Sequence, residues 1–330
     1  MQITPAVIQA LQTSFSTIFK SAYRDTPTFW ARLATRVSSS TKTNTYGWMK
    51  RLLEMRKWVG PRVIQNMSAN SYILENEPYE ATLGVDRDEI EDDALGLFDA
   101  RVQELARVGA RLPDQLVLAV LLAGETNLGF DNVAFFSTAH TLDPAGNQSN
   151  LGAIPFNPGG WAFVRATMQS YTGEDGRPLG VNPNLVVIPP EYEFMAKHIF
   201  NAEYAPGGGS NVLKNEASYL VIPELAGDSS WYALDVSAPI KPFIFQDRRA
   251  VQLVAKTAVT DDNVFMLREF LWGVDGRGAA GYGPWWLAFK STGDVGNVTQ
   301  PPEGATPEPA LPSTGTSWPG IMPLRPPISA

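Results

Sequence analysis

A long repeat of apolar residues limits what this chain can fold into more than any other feature. Over about 30 residues the apolar positions lie three or four apart, which is the spacing of one face of an α-helix. They are Leu95, Phe98, Val102, Leu105, Gly109, Leu112, Leu116, Val120 and Ala123. At a rise of roughly 1.5 Å per residue, a helix over 94–123 would be about 45 Å long. Pro113 lies inside it and predicts a kink or a restart there.

The segments before this helix predict a shorter helical arm followed by extended chain. Residues 6–37 favour helix with short interruptions, and Thr26-Pro27 has the form of a helix start within Ser21–Val37. Residues 38–72 mix turn-forming, basic and aromatic side chains without a helical or strand period. We therefore expect an extended loop or a β-hairpin there.

The second half of the chain predicts short strands and completes an α+β fold class. Leu185–Ile188 reads as a buried strand followed by a helix over 191–202, and several short strands follow Ser218, with VFMLREFLWGVD among them. Nine prolines after position 300 predict a poorly ordered C-terminal tail over 291–330.

Composition excludes several kinds of chemistry. The chain has no cysteine and two histidines, which rules out thiol catalysis, disulfides and thiolate metal sites, and leaves little room for a multi-histidine metal site. The longest apolar run, Leu116–Ala123, is far shorter than the roughly 20 residues that cross a bilayer, and the N-terminus lacks the order of a signal peptide. We expect a soluble protein made in the cytoplasm, without membrane contact.

The candidate chemical motifs do not form a catalytic or cofactor site. Gly276–Gly281 matches G-x-G-x-x-G, but Gly283-Pro284 follows where a nucleotide loop needs a helix. We interpret this run as a glycine-rich turn between strands and expect no cofactor. His140 lies near Asp143 without a nucleophile motif, which favours a structural histidine, and His198 has no predicted role.

Six acids between Asp86 and Asp93 have the oxygen ligands that Mg²⁺ or Ca²⁺ prefers. They lack the spacing and glycine of an EF-hand loop, so a cluster at a helix N-terminus is favoured over a metal site. We therefore predict no catalytic residue, no metal and no enzymatic activity.

Charge is divided unevenly along the chain. Residues 1–62 hold ten Lys and Arg against Asp25 and Glu54, which is a net charge of +8. The net charge of the whole chain is −8, so residues 63–330 carry −16. Residues 42–62 hold six bases against one acid, whereas residues 75–93 hold nine acids against one base. Two solvated faces of one body would explain this pattern, and so would a self-complementary surface for oligomerisation. Binding of nucleic acid by the basic first fifth is a further alternative.

Five stretches carry a resemblance to a known family. They occur in this order: FWARLATRVSSSTKTNTYGWMKRLLEMRKWVGPR, NEPYEATLGVDRDEIEDDALGLF, DNVAFFSTAH, NPNLVVIPPEYEFMAKHIFNA, and KPFIFQDRR with LREFLWGVDGRGAAGYGPWW. Over residues 20–290 the chain resembles the major head subunit family of Mu-like bacteriophages, and hence the tailed-phage capsid fold of the Hong Kong 97 type. The parts implied are an N-terminal arm at 1–37, an extended loop at 38–78, a peripheral domain at 79–175 with a spine helix at 94–123, an axial domain at 180–249, and return strands of the peripheral domain at 250–290. The Pro-rich tail at 291–330 has no counterpart among these parts.

The resemblance implies a major capsid protein that assembles with itself, in hexamers and pentamers, into an icosahedral shell around double-stranded DNA. It implies a place in the virion, non-specific contact with packaged DNA, and scaffold, portal and decoration proteins as possible partners. We expect the basic loop to lie on the acidic region of a neighbouring copy. The predicted contact residues are Trp48, Lys50, Arg51, Arg56, Lys57, Trp58, Glu75, Glu77, Asp88 and Glu91. A tail or connector component is the alternative, followed by an acid-dependent hydrolase.

Overall fold

The two longest helices lie in the first half of the chain, and most of the strands follow them. The computed structural model describes residues 4–47, 71–91, 95–143, 146–173, 176–205, 208–258 and 260–293. Its helices are α1 (Pro5–Asp25), α2 (Trp30–Leu33), α3 (Arg87–Glu91), α4 (Leu95–Leu122), α5 (Pro158–Gln169), α6 (Glu193–Phe200) and α7 (Asp262–Leu267). Its strands are β1 (Ala34–Ser38), β2 (Thr43–Gly47), β3 (Ser71–Glu75), β4 (Glu77–Asp86), β5 (His140–Asp143), β6 (Gly146–Gln148), β7 (Leu151–Gly152), β8 (Leu185–Ile188), β9 (Ser218–Val221), β10 (Trp231–Leu234), β11 (Phe243–Lys256), β12 (Glu269–Tyr282) and β13 (Ala288–Ser291).

Two mixed sheets organise these strands. The four-stranded sheet has the order β1-β11-β12-β4, with β1 parallel to β11 and the other pairs antiparallel. The five-stranded sheet has the order β7-β13-β10-β8-β9, with parallel pairs at both edges. Strands β2 and β3 form a separate antiparallel hairpin. Mixed sheets with helices packed against them confirm the predicted α+β class.

Helix α4 is the predicted long helix, and it belongs to both hydrophobic cores. Val102 and Ala106 are fully buried beside α1 and the four-stranded sheet. Val117 and Leu121 are fully buried in the second core, which includes the five-stranded sheet. The helix runs through Pro113 without a break over its 28 residues, a length of about 42 Å. One continuous helix therefore connects the two cores.

Helix α1 packs beside α4 and ends earlier than predicted. Its buried residues are spaced for one helical face: Ile8, Leu11, Phe15 and Phe19. Pro27 forces the preceding Thr26 into extended backbone (ψ 121°), so Thr26-Pro27 terminates a helix here. The prediction of helix through Val37 was wrong, because the chain continues through the short α2 into strand β1.

Asp114 of α4 supplies the cap that α2 lacks locally. Its Oδ1 accepts the backbone N–H groups of Phe29 at 2.9 Å and Trp30 at 2.8 Å. These donors lie at the start of α2, where helical N–H groups have no partner within the helix. Asp114 is 6% exposed, and burial raises the pKa of its carboxyl against the lowering effect of the two hydrogen bonds. The connection between α2 and α4 therefore depends on one buried carboxylate.

Two glycines let α4 approach the four-stranded sheet closely. A Cβ atom on Gly109 of α4 would lie 2.8 Å from Cγ1 of Val251 on β11. A Cβ atom on Gly276 of β12 would lie 2.8 Å from Cγ2 of the same valine. Val251 is thus held between two positions that exclude a side chain, and its branched side chain has little rotamer freedom with which to move away.

The sheets divide the chain differently from the expected domain boundaries. Strand β11 lies wholly in the four-stranded sheet, so a boundary between 249 and 250 would cut through it. Strands β8, β9 and β10 of the five-stranded sheet lie in the expected axial domain at 180–249. Strands β7 and β13 belong to the same sheet, although their segments were expected to belong to the peripheral domain. Strand pairing joins segments that are far apart in sequence, which short-range patterns do not register.

We predict that Asp114→Ala lowers the free energy of unfolding by about 1–3 kcal/mol, because two half-buried N–H groups lose their acceptor. Asp114→Asn retains an oxygen at Oδ1 and should change stability much less. Urea unfolding of the unassembled subunit measures both.

The same pair of proteins tests the direction of the Asp114 pKa shift. A carboxyl with a raised folded-state pKa binds its proton more tightly when folded, so stability rises as the pH falls through that pKa. The wild type should therefore gain stability relative to Asp114→Asn on acidification. A loss relative to that variant would contradict the raised pKa.

We predict that Gly109→Ala lowers the free energy of unfolding by about 1–3 kcal/mol, although alanine normally stabilises a helix over glycine. The cause is the clash with Val251. Val251→Ala should largely remove the penalty in a double-mutant cycle followed by urea unfolding. A stabilising Gly109→Ala would show that the helix does not lie this close to the sheet.

Candidate assembly surface

The basic half of the predicted contact begins where the hairpin ends. Strands β2 and β3 pair in register from Thr43↔Glu75 to Gly47↔Ser71. The predicted contact residues between them lie outside the described residues: Trp48, Lys50, Arg51, Arg56, Lys57 and Trp58. The structure therefore describes the root of the extended loop, and the basic loop contact remains a prediction.

The acidic half of the predicted contact is spread along an edge strand. Glu77, Glu80 and Asp86 are exposed on β4, which is ten residues long and spans about 33 Å. One side of β4 pairs with β12, and no strand in the described ranges pairs with its other side. Pro78 and the acids are residues that commonly keep such edges from pairing indiscriminately. The acids therefore form a line rather than a compact cluster.

Several of the predicted acids have partners within the subunit. Glu75 accepts a salt bridge from Lys42 Nζ at 2.7 Å across the hairpin root, and Glu77 accepts a hydrogen bond from Tyr79 Oη at 3.3 Å. Asp88 of α3 pairs with Arg268 at the turn between α7 and β12. Glu91 is the last residue of α3. Because the paired side chains remain largely exposed, each pair is weak and leaves charge available to a neighbour.

The glycine-rich run is part of a strand, not a turn. Gly276–Gly281 lies inside β12, which pairs with β11 on one side and β4 on the other. A Cβ atom on Gly278 would lie 2.7 Å from the carbonyl oxygen of Gln246, and one on Gly281 would lie 3.0 Å from the Tyr72 ring. The prediction of a turn was wrong because these glycines serve close approach by neighbouring strands and the hairpin root.

The two histidines occupy different environments. His140 is fully buried and stacks on Trp285, with ring centroids 4.1 Å apart. Its Nδ1 lies 2.7 Å from Asp131 Oδ2, and its Nε2 faces the oxygens of Phe135 and Asn150, each at 3.2 Å. These contacts tie together the chain on either side of β5, which supports the structural role favoured for His140. His198 packs edge to face on Phe194 of the same helix, α6.

Neither a metal-binding group nor a membrane-spanning helix occurs in the part of the chain that the structure describes. Within those ranges, no three His, Asp or Glu side chains come together as metal ligands. The helices of the same ranges include none with the length and hydropathy to cross a bilayer.

An exposed apolar tip was missed in the sequence. Phe265, Met266 and Leu267 of α7 are 79%, 74% and 67% exposed. The segment was interpreted as a strand, but Asn263 Nδ2 donates to the carbonyls of Lys256 (3.0 Å) and Glu269 (2.7 Å) and closes a helical turn. We call Phe265–Leu267 the α7 tip. Three consecutive large apolar residues on an exposed turn that is held by hydrogen bonds are typical of a protein contact surface.

Comparison with known proteins identifies the family. The family model described as Mu-like prophage major head subunit gpT matches residues 8–161, 155–225 and 224–299. The major capsid protein of Escherichia phage Mu is 34% identical over 295 residues, covering 89% of this chain and 76% of that protein. This chain belongs to the Mu-like major head subunit family. It is a major capsid protein of a phage virion, as the sequence resemblance implied.

Solved structures confirm the capsid fold. The procapsid of bacteriophage JBD30 has a TM-score of 0.57 and 31% identity, covering 90% of this chain and 78% of that one. The JBD30 capsid decorated with minor capsid protein trimers has a TM-score of 0.50 and 24% identity, covering 87% and 72%. Because the chain belongs to a head-subunit family, the alternative of a tail or connector component is excluded.

Proposed function

We propose that subunits of this protein close into an icosahedral shell of hexamers and pentamers, holding one another through the extended loop and β4. The observation that carries the proposal is an acidic edge strand about 33 Å long, with one side free of any described strand, in a chain whose residues 42–62 hold six bases against one acid. A basic segment of one copy and an acidic edge of the next are complementary, which favours ring closure over random association.

Charge alone does not supply the required free energy. Each exposed pair contributes about 0.2–1 kcal/mol, although a subunit has several pairs and a shell contains many subunits. Burial of apolar surface contributes about 25 cal/mol per Å² before the costs of association. The α7 tip supplies such surface, and we propose that it packs against a second copy.

We further propose that the shell encloses double-stranded DNA and takes scaffold, portal and decoration proteins as partners. Support for a decoration partner is the capsid of bacteriophage JBD30, which is decorated with minor capsid protein trimers. Support for non-specific contact with DNA is the −16 charge of residues 63–330, which lets DNA lie against the shell without strong adhesion. The family's structural role and the absence of catalytic motifs support a protein without enzymatic activity.

Concentration-dependent assembly of the full-length chain tests the proposed function. Light scattering should show a threshold concentration above which large particles form, and negative-stain electron microscopy should show closed shells of one size. A chain that stays monomeric at every concentration and ionic strength, or that forms only open tubes, would contradict it.

We predict that reversing the loop charge with Arg56→Glu reduces the association constant by up to about fivefold per contact, without lowering the unfolding midpoint. Adding Glu80→Lys on the same chain should restore part of the yield, because the reversed charges attract again. Glu203→Lys, at an exposed position away from β4, is the control. Unchanged assembly across a series of loop reversals would end the electrostatic account.

We predict that Phe265→Ser with Met266→Ser sharply reduces shell yield, since each apolar side chain buried at a contact contributes about 1.5–3 kcal/mol. Because both side chains are largely exposed in the subunit, its unfolding midpoint should change little. Val212→Ser, at another exposed apolar residue, is the matched control. Sedimentation gives the assembled fraction, and equal yields for both variants would exclude the α7 tip as a contact.

A further inference from the structure

Side chains of the hairpin β2–β3, which is the root of the extended loop, attach it to the four-stranded sheet. Tyr46 of β2 and Tyr72 of β3 are directly opposite each other in the hairpin register. Both residues are half-buried, and burial raises the pKa of both phenols, so both hydroxyls stay protonated at neutral pH. Their rings lie over the ends of β11 and β12 that carry Gln246 and Gly281.

Gln246 holds both strands of the hairpin at once. Tyr46 Oη donates to Gln246 Oε1 at 2.7 Å, and Gln246 Nε2 donates to the backbone carbonyl of Leu74 at 3.4 Å. The glutamine is 0% exposed. A buried amide must satisfy its donor and acceptor, and hydrogen bonds are directional, so this contact fixes an orientation that a purely apolar contact would leave free to slide.

Gly281 provides the space into which the second tyrosine fits. A Cβ atom there would lie 3.0 Å from both Cε1 and Oη of Tyr72 and 3.2 Å from Cδ1 of Leu74. Tyr72 Oη also accepts the backbone N–H of Tyr282 at 3.3 Å. The strand therefore presents bare backbone to the tyrosine ring. We call Gln246, Gly281 and Tyr282 the hairpin seat.

A second set of hydrogen bonds holds the opposite end of the hairpin root. Asn76 is buried, and its Nδ2 donates to Ser39 Oγ at 2.8 Å and to the Thr41 carbonyl at 2.9 Å. Arg277 of β12 donates through Nε to the carbonyl of Asn76 at 3.3 Å. Because both ends of the hairpin root are attached to the four-stranded sheet, its orientation relative to the subunit is fixed.

We infer that the hairpin seat sets the direction in which residues 48–70 leave the subunit and thereby selects the curvature of the shell. The inference rests on the proposed function, in which those residues reach a neighbouring copy. The root is five residues, or about 17 Å, long. The seat holds Tyr46 and Tyr72, one residue from the outer end of the root at Gly47 and Ser71. It therefore fixes the direction of the two strand ends from which residues 48–70 continue, and so which groups of the neighbour those residues can reach.

Tyr46→Phe tests the seat with the smallest possible change. It removes one hydroxyl that bonds Gln246 and leaves the ring, so the subunit should still fold. In electron micrographs, we expect the ratio of closed shells of wild-type diameter to misshapen or wrongly sized particles to fall about tenfold. That is the effect of one lost hydrogen bond per contact. Gly281→Ala, which displaces the Tyr72 ring, should shift the size distribution in the same way.

Tyr171→Phe is the matched control, because it removes a comparable hydroxyl that donates to the Ser149 carbonyl at 2.8 Å, away from the hairpin. It should leave shell diameter unchanged. Shells of unaltered size and uniformity from Tyr46→Phe would overturn the inference, even if Gly281→Ala does not fold. Failure of the wild type to form shells would instead count against the proposed function, so the two outcomes are distinguishable.

Discussion

Close contact on both faces of strand β12 is the constraint on which the rest of the structure depends. On one face, Gly276 leaves space for Val251 and, through it, for Gly109 of the long helix. On the other face, Gly281 leaves space for Tyr72 of the hairpin root. Successive side chains of a strand point to opposite faces, so glycines five positions apart serve different neighbours. A side chain at either position would move the helix or the hairpin away from the sheet.

The two cores are joined by elements that each belong to both. Helix α4 contributes buried residues to the core beside α1 and to the core of the five-stranded sheet. Asp114, in the middle of that helix, caps α2 and so positions the start of β1, the edge strand paired with β11. Displacement of the helix would therefore be transmitted to the sheet that carries the hairpin root. A subunit connected in this way can present its loop at a defined angle.

The sequence predicted the elements whose signals are local. The three-and-four spacing of apolar residues located α4, and helices in the first half of the chain followed by short strands in the second indicated the α+β class. Thr26-Pro27 was misinterpreted because proline restricts the residue before it as well as favouring the first turn of a helix. The glycine run was misinterpreted because its partners, Val251 and Tyr72, are distant in sequence. The α7 tip was missed because Asn263 bonds carbonyls on two strands, which no apolar pattern reveals.

The assembly account joins a rigid root, an acidic edge and a basic loop. It explains why an open edge strand is tolerated, since Pro78 and acidic side chains discourage pairing with any partner other than a basic one. A cryo-electron microscopy map of the assembled shell tests the account most directly. The account predicts residues 48–70 of one copy lying along the free side of β4 in the adjacent copy. A map in which that side of β4 faces solvent, or is covered by the loop of its own subunit, would contradict it.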